Sequence, residues 1–330
     1  MVKDLEITIL ITSGCEREIS VDTCLYYADF CDEVVLVDDQ QPAMCEQHLL
    51  LLPLNVKYVH VPVRERTFIE QSYNKRLVAA KNARYKYVIH SNHDERYSRA
   101  GLEHCLAELK NEEKLTFCSG TGVKLKHKNL SLAYPGLLDY SNLGCLKVRI
   151  CKHAQHYVPI AHYAVWKKEN LVRVLEKTIE VHHAIWDPSL FDEYIFEFLA
   201  ALEGPSKSLK VFYWIRNRLN DSVSPEYYTK LDVRTSRDVI QRKISLAFED
   251  VHGVKVADVM SAADRKYPSS KFGRFVARLH GLCLRIFCYD RQMLVGVSGS
   301  ELASLLEANQ ISFDKREVDT ILRSFDRWIG

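Results

Sequence analysis

The chain has 330 residues, of which 47% are hydrophobic and 27% are charged. This composition is ordinary for a folded globular protein and excludes intrinsic disorder as the default state. The formal net charge of +2 excludes a general nucleic-acid binder, whose surface would be strongly basic. The length is sufficient for one large domain, or for one domain with an appendage.

The ten cysteines are scattered along the chain and form no CxxC pair. Neither a zinc knuckle nor a thioredoxin-like redox motif is therefore expected. Several cysteines lie in apolar runs, where a free thiol packs as a small hydrophobic side chain. We expect them to be reduced and the protein to be cytoplasmic. We expect no signal peptide before the first apolar run and no membrane span, because no apolar stretch approaches the roughly 18 residues needed to cross a bilayer.

Strands and helices alternate through the first hundred residues. Apolar, β-branched runs predict strands at 5–12, 33–38, 56–61 and 87–90. Helical periodicity predicts helices at 16–30 and 68–83. Such alternation implies crossover connections and a largely parallel sheet flanked by helices, so the fold class is α/β.

The pattern is less regular further along the chain. It predicts a helix at 101–109, a strand at 115–118, an irregular segment from 119 to 158, a strand at 159–166, and helices at 168–177 and 188–202. The last strand is predicted at 209–215. Beyond about residue 225 only helical periodicity remains, so we predict an α/β domain over 1–225 and a helical extension over 226–330. Ser298 and Glu301 fit a capping box that opens one of the extension's helices.

The most informative stretch is 87–95, in which an apolar strand ends in Asn-His-Asp-Glu at 92–95. In open α/β sheets, ligands bind at the carboxyl ends of strands. Asp94 and Glu95 would repel each other there unless a positive charge compensates them. A divalent cation that carries a nucleotide phosphate would supply that charge. The alternative is an acidic turn that faces solvent and binds nothing.

Four stretches, in their order along the chain, carry a resemblance to a known family. They are 7–12, 35–39, 87–95 and 191–194. This arrangement resembles the GT-A fold of nucleotide-sugar-dependent glycosyltransferases, and specifically the family 2-like bacterial enzymes of surface-polysaccharide synthesis. The resemblance covers about residues 5–225, and 210–216 resembles the family's closing strand. It implies a nucleotide-sugar donor and a saccharide or lipid-linked acceptor.

The resemblance also implies roles for residues at the strand ends. Asp38 or Asp39 would hold the base or ribose of the nucleotide, with Thr12 beside it at the end of the first strand. Asp94 and Glu95, with His93, stand at the place of the Asp-x-Asp motif, which binds a divalent metal, Mn²⁺ or Mg²⁺. The first acidic position of that motif is Asn92 or His93 here, so metal-independent transfer by basic side chains is the alternative.

The same resemblance implies a general base near the start of a later helix. Glu193, with Asp192 beside it, matches the acidic residue that accepts the acceptor hydroxyl proton in inverting enzymes, and Asp187 is a substitute. An acid in the first turn of a helix is also favoured by the helix dipole whatever its function. Inverting stereochemistry rests on the family resemblance alone.

Basic and imidazole side chains near these segments have competing interpretations. Arg76, within the basic run of the 64–76 region, could neutralise nucleotide phosphates or face solvent on its helix. His162 is expected to pack within a strand, and 182–183 is taken as a strand whose two histidines face opposite ways.

The stretch 271–288 combines basic residues with an apolar helical stripe. It fits peripheral contact with an anionic membrane at the inner face of the cell, or packing against its own domain or a partner subunit. The oligomeric state stays open.

Two other functions are consistent with parts of the sequence. Sugar nucleotidyltransferases carry a Gly-rich loop after the first strand, whereas residues 13–17 here contain one glycine. A catalytically inactive relative that binds a sugar nucleotide, or scaffolds a biosynthetic complex, would account for the altered motif at 92–95.

Overall fold

The computed structural model describes residues 5–13, 17–62, 68–126, 129–134, 145–155, 158–184, 191–217, 242–243, 245–247 and 298–326. The strands are β1 (Leu5–Thr12), β2 (Cys31–Asp38), β3 (Val56–His60), β4 (Tyr87–Asn92), β5 (Glu95–Tyr97), β6 (Phe117–Lys126), β7 (Asn129–Ala133), β8 (Val165–Lys167) and β9 (Ser206–Asn217). The helices before residue 218 are α1 (Arg17–Ala28), α2 (Glu46–Leu49), α3 (Phe68–Asn82), α4 (Arg99–Asn111), α5 (Leu146–Gln155), α6 (Lys168–Ala184) and α7 (Phe191–Glu203). Helices α8 (Gly299–Ala308) and α9 (Lys315–Asp326) follow in the C-terminal part.

The strands form one sheet in the order β3-β2-β1-β4-β8-β6-β9-β5, and β7 pairs with β6. Its first four strands are parallel to one another, as the alternation of strands and helices predicts. Antiparallel pairing begins at β8. The predicted fold class is therefore confirmed as a Rossmann-like sheet flanked by helices, with further helices in the C-terminal part.

Apolar side chains fill both faces of the sheet. Helices α3, α6 and α7 cover one face, where Trp166 stacks on Phe117. Helices α1 and α4 cover the opposite face. A third cluster lies between the ends of β6 and β9 and the helices α8 and α9. No helix among the described residues is long and apolar enough to cross a membrane.

Within the segment predicted to be irregular, 119–158, most of the described residues lie in strands or a helix. Strand β6 runs on to Lys126, β7 pairs back against it, and α5 follows. The prediction was wrong for these residues because the mixed polarity of the segment was taken as a sign of irregular structure. Gly120 and Gly122 lie within β6 and give room to aromatic side chains of β9, since a Cβ on Gly122 would lie 2.2 Å from Trp214 Cε2.

Two shorter predictions were also wrong. The strand expected at 159–166 is a 3₁₀ turn at Ala161–Tyr163 followed by the three-residue β8, because backbone amides of the turn donate to a buried carboxylate, as described below. His182 and His183 lie at the end of α6 and not on a strand. His182 is buried, whereas His183 pairs with Glu70 at 2.7 Å.

The prediction that the C-terminal part is helical is confirmed for the residues that the structure describes there. Ser298 and Glu301 form the predicted capping box at the start of α8. The proposed boundary near residue 225 and the basic stretch 271–288 lie outside the described residues.

Candidate functional site

The carboxyl ends of β2, β1 and β4 lie side by side at one edge of the sheet. Thr12 is the register partner of Val37 on one side and of Asn92 on the other. Its hydroxyl lies 3.0 Å from His90 Nε2. Burial, followed by the cations of Arg76 and Lys75, lowers the pKa of His90 well below its ordinary value, so this imidazole is neutral at neutral pH.

Asp38, at the end of β2, is fully buried and its oxygens are used within the protein. Its Oδ2 accepts hydrogen bonds from Arg17 Nε and from the Tyr58 hydroxyl, both at 3.0 Å. Its Oδ1 accepts from the Gln40 amide at 3.1 Å. Arg17 also donates to the carbonyl of Gln40 at 3.0 Å. Asp38 thus holds the chain that leaves β2 in place.

Asp39 stands one residue further along and is partly exposed. Lys75, on α3, donates to Asp39 Oδ1 and to the Ser13 carbonyl, each at 2.9 Å. Lys75 therefore joins the ends of β1 and β2. Of the two candidate nucleotide-binding carboxylates, Asp39 is the accessible one, because its side chain is 16% exposed and that of Asp38 is 0% exposed.

Arg76 follows Lys75 on α3 and lies with its guanidinium 5.4 Å from the centre of the Tyr73 ring. In the described part of the chain, its buried Nε has no hydrogen-bond partner. Its charge contributes to the lowered pKa of His90. Arg76 therefore lies close enough to β4 to act on His90, and its role at a nucleotide site stays a prediction.

The acidic stretch 92–95 closes into a tight turn between β4 and β5. Glu95 is fully buried and accepts from Asn92 twice: from the side-chain amide at 2.9 Å and from the backbone amide at 3.1 Å. Burial raises the pKa of this carboxyl, and Arg216 partly offsets the effect. The turn is therefore held by Asn92 where the usual motif has an acid.

Arg216 supplies the positive charge that the two carboxylates require. It is the register partner of Glu95 across β5 and β9. Its Nε lies 2.9 Å from Asp94 Oδ2 and 3.8 Å from Glu95 Oε1. Burial alone would raise the pKa of Asp94, but Arg216 and then His93 more than compensate, so the pKa lies below its ordinary value. Asp94 is ionised at neutral pH.

A divalent cation has a restricted choice of ligands in this turn. Both Glu95 oxygens accept from Asn92, whereas the buried Asp94 Oδ1 has no hydrogen-bond partner in the region described. Among the described residues there is no group of three or more His, Cys, Asp or Glu that could hold a metal by itself. Asp94 Oδ1 nevertheless fits a metal that arrives with a diphosphate, because Mg²⁺ in proteins is often held by one or two carboxylates plus phosphates.

A further buried carboxylate lies on α7. Glu197 on α7 is fully buried and accepts from the backbone amides of Ala161 and His162 at 3.1 and 3.0 Å. It also pairs with His162 Nδ1 at 2.9 Å and with His153 Nε2 at 3.4 Å. Burial raises the pKa of Glu197, but the two histidines lower it further, so the net shift is downward. His162 thus lies in a 3₁₀ turn and not in a strand.

The two candidate bases, Asp192 and Glu193, lie in the first turn of α7. Their side chains are outside what the structure describes, and so is Asp187. The helix itself is directed so that Glu197, one turn later, contacts the segment that precedes β8. The role of Glu193 stays a prediction.

Three charged residues of the site were not predicted. Arg17, Glu197 and Arg216 contribute ion pairs to it, whereas Lys75, which pairs with Asp39, belongs to the basic run at 64–76 named from the sequence. Arg216 left a signal in the sequence, because a basic residue ends an otherwise apolar strand. Glu197 left none, since an acid in a helix ordinarily faces solvent.

The fold and the site together define a Rossmann-like α/β protein with a cluster of charged residues at the carboxyl ends of its parallel strands, the place where such sheets bind ligands.

No family model and no curated protein sequence matches the chain. The structure is similar to that of the S. aureus protein TarS. Residues 1–349 of TarS in complex with UDP share 15% identity with a TM-score of 0.49, over 79% of this chain and 70% of that chain. The same TarS fragment in complex with UDP-GlcNAc shares 14% identity with a TM-score of 0.44, over 85% of this chain and 89% of that chain. These similarities are distant, so the fold assignment rests on the sheet order itself.

Proposed function

We propose that the protein is a glycosyltransferase that moves a sugar from a nucleoside-diphosphate donor to a hydroxyl of a saccharide or lipid-linked acceptor. The observation that carries this proposal is the position of Asp39, Lys75, Asp94 and Arg216, which bring acids and cations to the carboxyl edge of one sheet. A diphosphate needs positive charge, and a ribose or base needs hydrogen-bond acceptors. This edge offers both.

The residues would divide the work as follows. Asp39 would accept hydrogen bonds from the ribose or base, with Thr12 and Arg76 nearby. Arg216, whose side chain is 18% exposed, would stabilise the departing diphosphate. Asp94 Oδ1 would hold a divalent cation, Mn²⁺ or Mg²⁺, which would neutralise charge on the leaving group when bound. Glu193 would take the proton of the attacking hydroxyl.

Nucleotide binding tests the donor site. We expect wild-type protein to bind UDP in calorimetry, and Mn²⁺ to strengthen the binding. Asp94→Asn should reduce the effect of Mn²⁺ roughly ten-fold or more, because it removes the charge of the only turn carboxylate whose oxygen is unpaired among the described residues. Glu176→Gln, which changes an exposed carboxylate paired with Lys81, is the control. Metal-dependent binding that survives Asp94→Asn unchanged would contradict the metal assignment.

Turnover tests the base. Glu193→Ala should leave UDP binding intact and lower the hydrolysis of bound nucleotide sugar by roughly 10²–10⁴-fold, measured as UDP release from UDP-GlcNAc and other nucleotide sugars. Glu180→Ala is the matched control, because Glu180 is an exposed helical acid. Full turnover by Glu193→Ala would show that another residue is the base.

Both oxygens of the Glu95 carboxylate already accept hydrogen bonds from Asn92. This favours a second candidate function, that of a relative which binds sugar nucleotides without transferring the sugar. Such a protein would bind UDP with the affinity of an enzyme, yet release no UDP from any nucleotide sugar or acceptor. The wild-type turnover measurement above distinguishes the two functions.

A further inference from the structure

Arg96 lies directly behind the acidic turn and is fully buried. Its NH1 donates to the carbonyls of His93 and Glu95 at 3.2 and 2.9 Å. These two carbonyls flank Asp94 on either side. One guanidinium nitrogen therefore fixes the backbone on both sides of the residue whose carboxylate contacts Arg216.

Side chains of helix α1 hold Arg96 and the backbone of the turn in place. Thr23 accepts from Arg96 NH1 at 2.9 Å and donates to the His93 carbonyl at the same distance. Asp22 pairs with Arg96 NH2 at 3.1 Å. The Tyr27 hydroxyl donates to the Glu95 carbonyl at 3.2 Å. The backbone of the turn is thus held by a polar network that does not use the side chain of Asp94.

The C-terminal helix α9 completes the environment of Arg96. The guanidinium carbon lies 5.1 Å from the centre of the Phe325 ring and 5.3 Å from that of Tyr26. An arginine between two aromatic rings, shielded from water, gains a cation–π contribution and loses freedom to change rotamer. Phe325 is itself buried in the cluster that joins α9 to β6 and β9.

We propose that Arg96 is a positioning residue for the diphosphate site, and that Phe325 of α9 holds Arg96 in the conformation that fixes the turn. The C-terminal helices are then part of the donor site's construction, although none of their described residues belongs to the acidic turn. The expected effect of Arg96 and Phe325 on nucleotide binding rests on the proposed function. Their expected effect on the conformation of the turn does not.

The test compares two substitutions of Phe325 with one control. Phe325→Leu keeps an apolar side chain and removes the ring, whereas Phe325→Tyr keeps the ring. Leu306→Ala, on α8, removes packing from the same cluster and reports loss of stability alone. Hydrogen exchange of the peptide that spans 91–98 reports the turn without any ligand, and calorimetry with UDP and Mn²⁺ reports the site.

We expect Phe325→Leu to speed exchange of the 91–98 peptide and to weaken UDP binding about ten-fold, a loss between those of an exposed and of a fully desolvated cation–π contact. Phe325→Tyr should keep the exchange rate of that peptide and the affinity for UDP within about two-fold of wild type. Arg96→Lys, which keeps the charge but loses the fork of donors, should behave like Phe325→Leu or worse. Equal exchange in Phe325→Leu and Leu306→Ala would overturn the proposal, because α9 would then contribute only stability. If wild-type protein binds no nucleotide, the proposed function fails, while the exchange experiment still decides the role of Phe325.

Discussion

At the scale of single residues, the buried charges of the site depend on partners that are distant along the chain. Arg216 lies 122 residues from Asp94, and Glu197 lies 35 residues from His162. A buried ion pair that loses one member leaves an uncompensated charge, which costs more than the pair contributes. The site is therefore sensitive to residues that no local motif identifies.

Glu197 gives a prediction with a defined pH dependence. Its pKa in the folded protein lies below the ordinary value of 4.5, so folding favours the ionised form. Its contribution to the free energy of unfolding is therefore complete above about pH 4.5 and is lost as the pH falls through the folded-state pKa. Glu197→Gln should lower that free energy by about 3 kcal/mol at pH 7.

The measurement is urea unfolding of wild type and Glu197→Gln between pH 3 and pH 7. The difference between them should shrink as the pH falls, because protonation of Glu197 removes the charge that distinguishes the two side chains. Glu180→Gln, at an exposed position, should differ little from wild type at any pH. A difference for Glu197→Gln that does not change with pH would show that its charge is irrelevant.

At the scale of elements, the end of a helix can be stabilised by a side chain from a different helix. Ser298 caps α8 with the predicted capping box, a local motif that sequence displays directly. Helix α4 is different. Ser98 caps it locally, but Glu317 of α9 also accepts from the Ser98 hydroxyl at 2.9 Å and from the Arg99 and Ala100 amides. Its carboxylate lies at the positive end of the helix dipole.

Glu317→Ala should therefore loosen the start of α4 as well as α9. We expect a loss of about 1–2 kcal/mol in the free energy of unfolding and faster hydrogen exchange of the Arg99 and Ala100 amides. Glu307→Ala, which removes an exposed carboxylate paired with Lys315, should change neither. Unaltered exchange at the start of α4 would mean that Ser98 is a sufficient cap.

At the scale of the whole molecule, the C-terminal segment is built onto the sheet. Ser312 pairs with Val211 of β9 and exchanges backbone hydrogen bonds with its neighbours Lys210 and Phe212 at 3.0 and 2.7 Å. Apolar residues of α8 and α9 then bury the ends of β6 and β9. The helical character of this segment was predicted, but its contact with the sheet was not, because periodicity identifies an apolar face without identifying what covers it.

The α/β class, the first four strands and the helices α1 and α3 follow from the sequence alone, whereas the short helix α2 was not predicted. Strands β1 and β4 contain the apolar runs 9–11 and 87–89 because parallel strands in the middle of a sheet are buried on both faces. The turn at 92–95 is conspicuous because acids rarely follow such a run. In these cases the physical cause is local, so the sequence contains it.

Only the tertiary structure decided which of those acids remain available. It consumed Asp38 and Glu95 in internal hydrogen bonds, left Asp39 partly exposed and the buried Oδ1 of Asp94 without a hydrogen-bond partner among the described residues, and brought Arg216 opposite Glu95 through strand register. It also placed Arg96 between the acidic turn and α9. These pairings join residues separated by long loops, and their geometry is set by sheet order and by the burial of charge. Neither the order of the strands nor the burial of a charge is a property of any single segment of the chain.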